Sequence, residues 1–146
     1  MRKSTILLVE DNPDEEELAL VAFKRAGVRL EDIVVARDGQ EALDYLFAEG
    51  SYSDRDARDV PRVIFLDLNM PKIHGLEVLK RIKSNEKTSM VPTVILTSSD
   101  ERCDILDGYR SGANSFVRKA YDFNEFFADI SALQNYWLSM NVTPYD

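Results

Sequence analysis

Six positions carry side chains that would do chemistry if the fold brought them together. They are the neighbouring acids Glu10 and Asp11, a third acid at Asp67, the hydroxyls Thr97 and Ser98, and the amine Lys119. Each closes or directly follows a short apolar run, so each belongs at the end of a strand. Three carboxylates held together away from water repel one another, and desolvation makes their charged forms costlier still. Lys119 brings a single positive charge, too little for three acids. A hard divalent cation removes the conflict, and a small all-oxygen site that leaves room for retained water suits Mg²⁺. Taken singly, the residues admit plainer readings: Glu10 and Asp11 as a turn or helix cap, Asp67 as the turn former of DLNMP, Thr97 as a satisfied strand-end hydroxyl, Lys119 as a surface charge. Their recurrence at the ends of four separate apolar runs makes coincidence the weaker explanation.

Those runs define the elements that must position the site. Ile6 to Val9 is continuously apolar, as expected of a strand covered on both faces. Asn12, Pro13 and Glu15 then read as N-cap, first helical residue and N3 carboxylate. The helix they open carries Leu18, Val21, Ala22 and Arg25 at helical spacing and stops at Gly27. Ile33 to Ala36 is the second strand. Asp38 and Glu41 repeat the capping pattern before a helix whose apolar face is Ala42, Leu43, Leu46 and Phe47, ending before Gly50. The polar, charge-alternating stretch from Ser51 to Val60 predicts a long surface loop. Val63 to Leu66, Thr93 to Thr97 and Ser115 to Val117 predict strands three to five. The intervening helices run from Leu76 to about Lys83, and through Ile105, Leu106 and Tyr109 to near Gly112. A last helix opens at Asp122 and Glu125 and packs through Phe126, Ile130, Leu133 and Trp137. The order βαβαβαβαβα predicts an α/β fold, a doubly wound five-stranded parallel sheet with helices on both faces. Ligands of such sheets lie beyond the carboxyl ends of the strands, where the six polar residues fall.

The whole chain, 146 residues with a net charge of −8, suits one domain over 1–146. A domain of that size buries about two-thirds of its unfolded surface and needs no covalent staple. Its acidity argues against a broad nucleic-acid surface, and no helix-turn-helix or basic region for reading DNA is visible. One cysteine excludes an internal disulfide framework, and Cys103 reads as structural or incidental. No apolar run reaches membrane length, and MRKSTILLVEDNP reads as a first strand rather than a signal peptide, so the cytoplasm is the expected location. Neither GxGxxG nor GxxxxGK(S/T) follows the first strand.

The segments ILLVEDNPDE, VIFLDLNMP, VILTSSD and GANSFVRKA together resemble the receiver domain of bacterial two-component response regulators. The resemblance runs from about Ser4 to Leu138 and leaves a short tail over 139–146. Separations of 30 from Asp67 to Thr97 and 52 from Asp67 to Lys119 fit it. It implies the (βα)5 flavodoxin-like receiver fold, with Asp67 accepting a phosphoryl group from the phosphohistidine of a sensor kinase. It further implies that Mg²⁺ is held by Glu10 (partly through water), Asp11, Asp67 and the backbone carbonyl of Asn69. Lys119 and Thr97 would engage phosphoryl oxygens, with the backbone N–H of Ser98 as a further donor. Thr97 and Phe116 would form a switch that repacks the face of the fourth helix, fifth strand and fifth helix, although Phe116 reads equally well as plain core. That face is the expected homodimer surface, with Phe127 and Tyr136 as further contact residues. The loop beginning EGSYSDRDA, the segment IKSNEK and the ending NYWLSMNVTP are similar to stand-alone receivers associated with phytochrome histidine kinases. The implied partners are therefore a sensor histidine kinase, of phytochrome type, and a downstream protein. Such a module is a phosphoacceptor rather than an enzyme.

Two positions depart from the pattern. Ala120 stands where receivers usually have a proline in cis linkage to the lysine. Because a non-proline cis bond costs about 2.5–4 kcal/mol, a trans Lys119–Ala120 bond is expected. His74 stands where Asp is common; with no metal-spaced partner, it reads as a solvated residue leading into the third helix. Together these give limited support to a phosphorylation-independent interaction module, against which the complete polar set weighs. A Mg²⁺-dependent phosphohydrolase would need a second acid close to Asp67, and DLNMP has none.

Overall fold

In the computed structural model, which describes residues 5–146, five strands alternate with five helices. The strands are β1 (Ile6–Val9), β2 (Ile33–Ala36), β3 (Val63–Leu66), β4 (Thr93–Thr97) and β5 (Ser115–Arg118). The helices are α1 (Pro13–Arg25), α2 (Gly39–Phe47), α3 (Gly75–Ser84), α4 (Arg102–Arg110) and α5 (Phe123–Gln134), the last continuing as a wider π-type turn over Asn135–Met140. The sheet is parallel throughout in the order β2-β1-β3-β4-β5, the doubly wound arrangement the alternation predicts. Ser4, where the sequence pattern begins, lies outside the described residues.

Period-two alternation divides the strands between two cores. Leu7, Val9, Ile64, Leu66 and Ile95 face α2 and α3, where Ala42, Leu43, Leu46, Val78, Leu79 and Ile82 are buried. Ile6, Leu8, Val63, Phe65, Val94 and Leu96 face α1 and α5, meeting Ala19, Ala22, Phe23, Phe126 and Ile130. The helix faces match the sequence pattern in α2 and α5 but not in α1. There Leu18 and Val21 are exposed, while Ala19 and Phe23 join Ala22 in the core. The run LALVAF is apolar over six consecutive residues, so periodicity alone does not fix its phase. Small alanines let α1 approach the sheet closely and leave Phe23 to pack against Phe65, ring centres 5.5 Å apart and planes tilted by 45°. On α4 only Gly108 is buried, and the expected face is largely open at Leu106 and Tyr109.

The segment over 51–60 is less of a free loop than its composition predicts. Tyr52 sits edge-on to Tyr45 and donates its hydroxyl hydrogen to Glu41, Arg55 lies over the Tyr45 ring, and Val60 is buried. The C-terminal residues also fold back: Asp146 pairs with Arg62, and the Tyr145 hydroxyl donates to Lys87 O at 3.1 Å.

Helix caps follow the sequence closely. Asn12 accepts from the N–H groups of Asp14 and Glu15, Asp38 from Glu41, and Asp122 from Glu125. His74 leads into α3 as expected, and it also caps that helix: Nδ1 accepts the Leu76 N–H at 3.2 Å. His74→Ala should therefore cost about 1 kcal/mol in a denaturant titration, while His74→Asp, which keeps an acceptor, should cost less.

Candidate active site at the strand ends

Thr97 ends β4, and Glu10, Asp67 and Lys119 are each placed by one backbone bond that extends a strand ladder by a residue. The Glu10 N–H donates to Ala36 O at 2.9 Å, Asp67 N–H to Val9 O at 3.1 Å, and Lys119 N–H to Thr97 O at 2.8 Å. Val9 is level with Leu66 and Thr97 with Arg118, so Glu10 falls beside Asp67 and Lys119 lies just beyond Thr97. The sheet therefore carries Glu10, Asp67, Thr97 and Lys119 to one edge.

Asp67 is at the centre and almost wholly buried. Its Oδ1 accepts from the Thr97 hydroxyl at 2.8 Å and from the Asn69 N–H at 3.2 Å, and its Oδ2 faces Lys119 Nζ at 3.1 Å. Lys119 Nζ also donates to Glu10 Oε1 and, at 3.3 Å, to Glu15 Oε1. One ammonium is thus shared by three carboxylates. Burial pushes the Glu10 carboxyl up to about 7 against the pull of Lys119. Burial also works against the Lys119 ammonium, but Asp67, Glu10 and Glu15 outweigh it and hold its pKa above the ordinary value.

One carboxylate oxygen each from Glu10, Asp11 and Asp67 lies within 4.8 Å of the other two, so a single cation can touch all three. The donor set is all oxygen and carries more negative charge than Lys119 offsets, which fits a hard divalent ion. Peptide bonds are trans throughout the described residues, Lys119–Ala120 included, as expected for a non-proline linkage. Phe116 is half-buried against the α2–α3 core beside Gly108. Cys103 is exposed, with Sγ 3.6 Å from Glu101.

The residue that sequence reasoning missed is Glu15. As the N3 residue of a capping box it should return a bond to the Asn12 N–H. That N–H instead donates to Glu10 Oε2 at 3.2 Å, and the Glu15 carboxylate turns to Lys119. Only a rule that looked across the sheet edge could have found this.

A cavity of about 100 Å³ opens between α1 and the start of α5, lined by the charged Glu10, Glu15, Asp67 and Lys119 as well as by apolar side chains such as Phe65 and Phe126. Leu18, Tyr121 and Phe123 stand exposed around it.

Comparison with known proteins agrees with this geometry. Residues 6–131 match the response regulator receiver domain. The probable methanogenesis regulatory protein FilR2 of Methanothrix harundinacea is 39% identical over 142 residues, covering 95% of this chain and 86% of that protein. The crystal structure of the Mn²⁺-bound form of response regulator Rcp1, a protein known from Synechocystis, superposes with a TM-score of 0.87 at 30% identity, covering 97% of this chain and 99% of the other. The phosphorylated cyanobacterial phytochrome response regulator RcpA superposes with a TM-score of 0.86 at 34% identity, over 99% of both chains. Receivers of this kind are phosphoacceptors rather than enzymes with a separate turned-over substrate. The chain belongs to the receiver-domain family of two-component response regulators.

Proposed function

We propose that Asp67 accepts a phosphoryl group from the phosphohistidine of a sensor kinase, and that this changes the chain's affinity for a protein partner. A single observation carries the reading: Asp67 is held between the Thr97 hydroxyl and the Lys119 ammonium, in reach of the acid pair Glu10 and Asp11. An Asp67 carboxylate oxygen forms the new bond to phosphorus. The phosphorus–nitrogen bond to the donor histidine breaks, and its electron pair returns to the ring nitrogen. A carboxylate is a weak nucleophile, so catalysis here is positioning plus neutralisation of the phosphoryl oxygens. Lys119 turns from Asp67 Oδ2 to one such oxygen, Thr97 donates to another, and the Ser98 N–H serves as a further donor. Glu10, Asp11, Asp67 and the Asn69 carbonyl would hold Mg²⁺, which when bound supplies positive charge against the developing phosphoryl charge.

One likeness favours a phytochrome-type kinase as donor. The RcpA relative is by description a phytochrome response regulator, and its likeness spans nearly the whole chain. The exposed Leu18, Tyr121 and Phe123 give a donor helix an apolar rim beside Lys119. A net charge of −8 favours protein over nucleic acid as the downstream partner. No helix among the described residues is long and apolar enough to cross a membrane, and a cytoplasmic location fits a relay fed by a kinase domain.

When Thr97 moves toward the phosphoryl group, the Phe116 ring gains room to turn inward and repack the α4–β5–α5 face. Leu106 and Tyr109 on that face are exposed, Tyr109 by 53%, which suits pairing with a second copy. Sedimentation should accordingly show a dimer in at least one phosphorylation state; monomers in both would remove the pairing.

The direct test is transfer from a labelled, autophosphorylated bacterial phytochrome kinase. Label is expected on the wild-type chain in Mg²⁺ and not on Asp67→Asn. Failure of this donor together with success of another histidine kinase would leave the acceptor and change the partner. Failure of all donors would favour an interaction module that works without phosphorylation, and continuous phosphate release from a small donor would favour a hydrolase.

A further inference from the structure

Glu15 takes no part in phosphoryl transfer as proposed, yet it makes one of the three contacts that hold Lys119. Its backbone is fixed in the first turn of α1, where its N–H donates to the Asn12 cap at 3.1 Å. Its side chain reaches 3.3 Å from Lys119 Nζ while remaining 38% exposed, at the mouth of the site. The bond expected of an N3 carboxylate is taken over by Glu10, which accepts the Asn12 N–H. Glu15 is thereby released from helix capping and given to Lys119.

The other two contacts cannot last through phosphoryl transfer. Asp67 supplies the oxygen of the new bond, and Glu10 belongs to the acid cluster that would hold the cation. Lys119 itself sits just past β5 in a non-helical segment with Ala120 behind it, its backbone tied to the sheet by one bond to Thr97 O. A four-carbon side chain released from two of its three carboxylates would sample many rotamers, and fixing it again costs entropy. A partly exposed carboxylate outside the reacting set can hold the amine near the strand ends through that exchange.

We propose that Glu15 is a positioning residue that tethers Lys119 while Asp67 and Glu10 are engaged. This rests on the reading of Asp67 as phosphoryl acceptor. Two measurements on Glu15→Ala and Glu15→Gln test it. The first is mass-resolved labelling of Lys119 by an amine-acylating reagent, in Mg²⁺ and without any phosphodonor. The second is the rate of phosphoryl uptake from phosphoramidate across donor concentrations. In Glu15→Ala, Lys119 labelling should rise about fivefold, and the uptake rate at saturating donor should fall about fivefold, the worth of one partly exposed charged contact. The half-saturating donor concentration should not move, and Glu15→Gln, which keeps an acceptor without the charge, should fall between. A merely structural role in α1 would lower the melting temperature without raising Lys119 labelling. Wild-type labelling and uptake in a folded Glu15→Ala chain would overturn the proposal. So would faster uptake, which would make Glu15 a competitor for the lysine. If Glu15→Ala does not fold, Glu15→Gln decides by the same two readouts. Failure of the wild type to take any phosphoryl group would refute the acceptor reading instead, and the labelling still decides whether Glu15 holds Lys119.

Discussion

Replacing Lys119 by Met should slow phosphoryl uptake by about 10²–10³-fold while making the chain bind Mg²⁺ more tightly. The two effects run in opposite directions because Lys119 has two roles in different states. Before the reaction its ammonium is the counter-charge for Glu10, Asp67 and Glu15. Without it, two nearly buried carboxylates face each other unpaired, and a divalent cation becomes their natural replacement. Apparent affinity for Mg²⁺ should rise about tenfold by isothermal titration, because a positive charge that competed for the same oxygens has gone. Removing one partner from a buried ion pair costs about 3 kcal/mol, so the melting temperature in metal-free buffer should drop. Saturating Mg²⁺ should restore most of it, since a ligand that binds the folded state alone stabilises by mass action. During transfer no carboxylate can do what the ammonium does, which is to meet a phosphoryl oxygen with opposite charge. A variant that lost stability, metal affinity and rate together would show that Lys119 is part of the scaffold rather than a counter-charge.

An equally large effect on stability should come from a residue with no side chain. Gly75 opens α3, and its N–H donates to Leu68 O at 2.9 Å. A Cβ at this position would lie 2.4 Å from Asp67 O and 2.6 Å from Leu68 Cα. Both are backbone atoms of the segment that carries the proposed nucleophile, so neither can move without dragging Asp67. Gly75→Ala should cost about 3 kcal/mol, read as a lower denaturant midpoint with unchanged slope. It should also slow phosphoryl uptake in the fraction that folds, because small displacements of a reacting group are expensive. Normal stability with normal uptake would mean that the loop between β3 and α3 yields more freely than its packing implies.

How much of this was legible in the sequence differs from element to element. The strands were, because a fully buried parallel strand is a short continuous apolar run with a polar residue where it leaves the core, and Val63–Leu66 ending on Asp67 is such a case. Their ends therefore also gave the site: Glu10, Asp67, Thr97 and Lys119 meet because four runs stop at one edge. The caps at Asn12, Asp38 and Asp122 were readable for the same local reason. The packing phase of α1 was not, since six apolar residues in a row fit several faces and only the sheet beneath them chooses Ala19 and Phe23. The anchoring of 51–60 was hidden because its alternating charges give no period, while Tyr52 and Arg55 reach back to Glu41 and Tyr45 on α2 across a turn that no helix or strand spacing encodes. Asp146 on Arg62 and Glu15 on Lys119 are long-range pairs, 84 and 104 residues apart, which no local pattern encodes.

If this edge of the sheet is a metal-dependent phosphorylation site with Asp67 as acceptor, intact mass spectrometry will show it after incubation with Mg²⁺ and a small phosphodonor, run on the wild type, on Asp67→Asn, and on the wild type with chelator. The expected result is one added phosphoryl group on the wild type, released by hydroxylamine as an acyl phosphate is, and no addition in the other two. An adduct of equal yield on Asp67→Asn, or none on a folded, metal-loaded wild type, would contradict it.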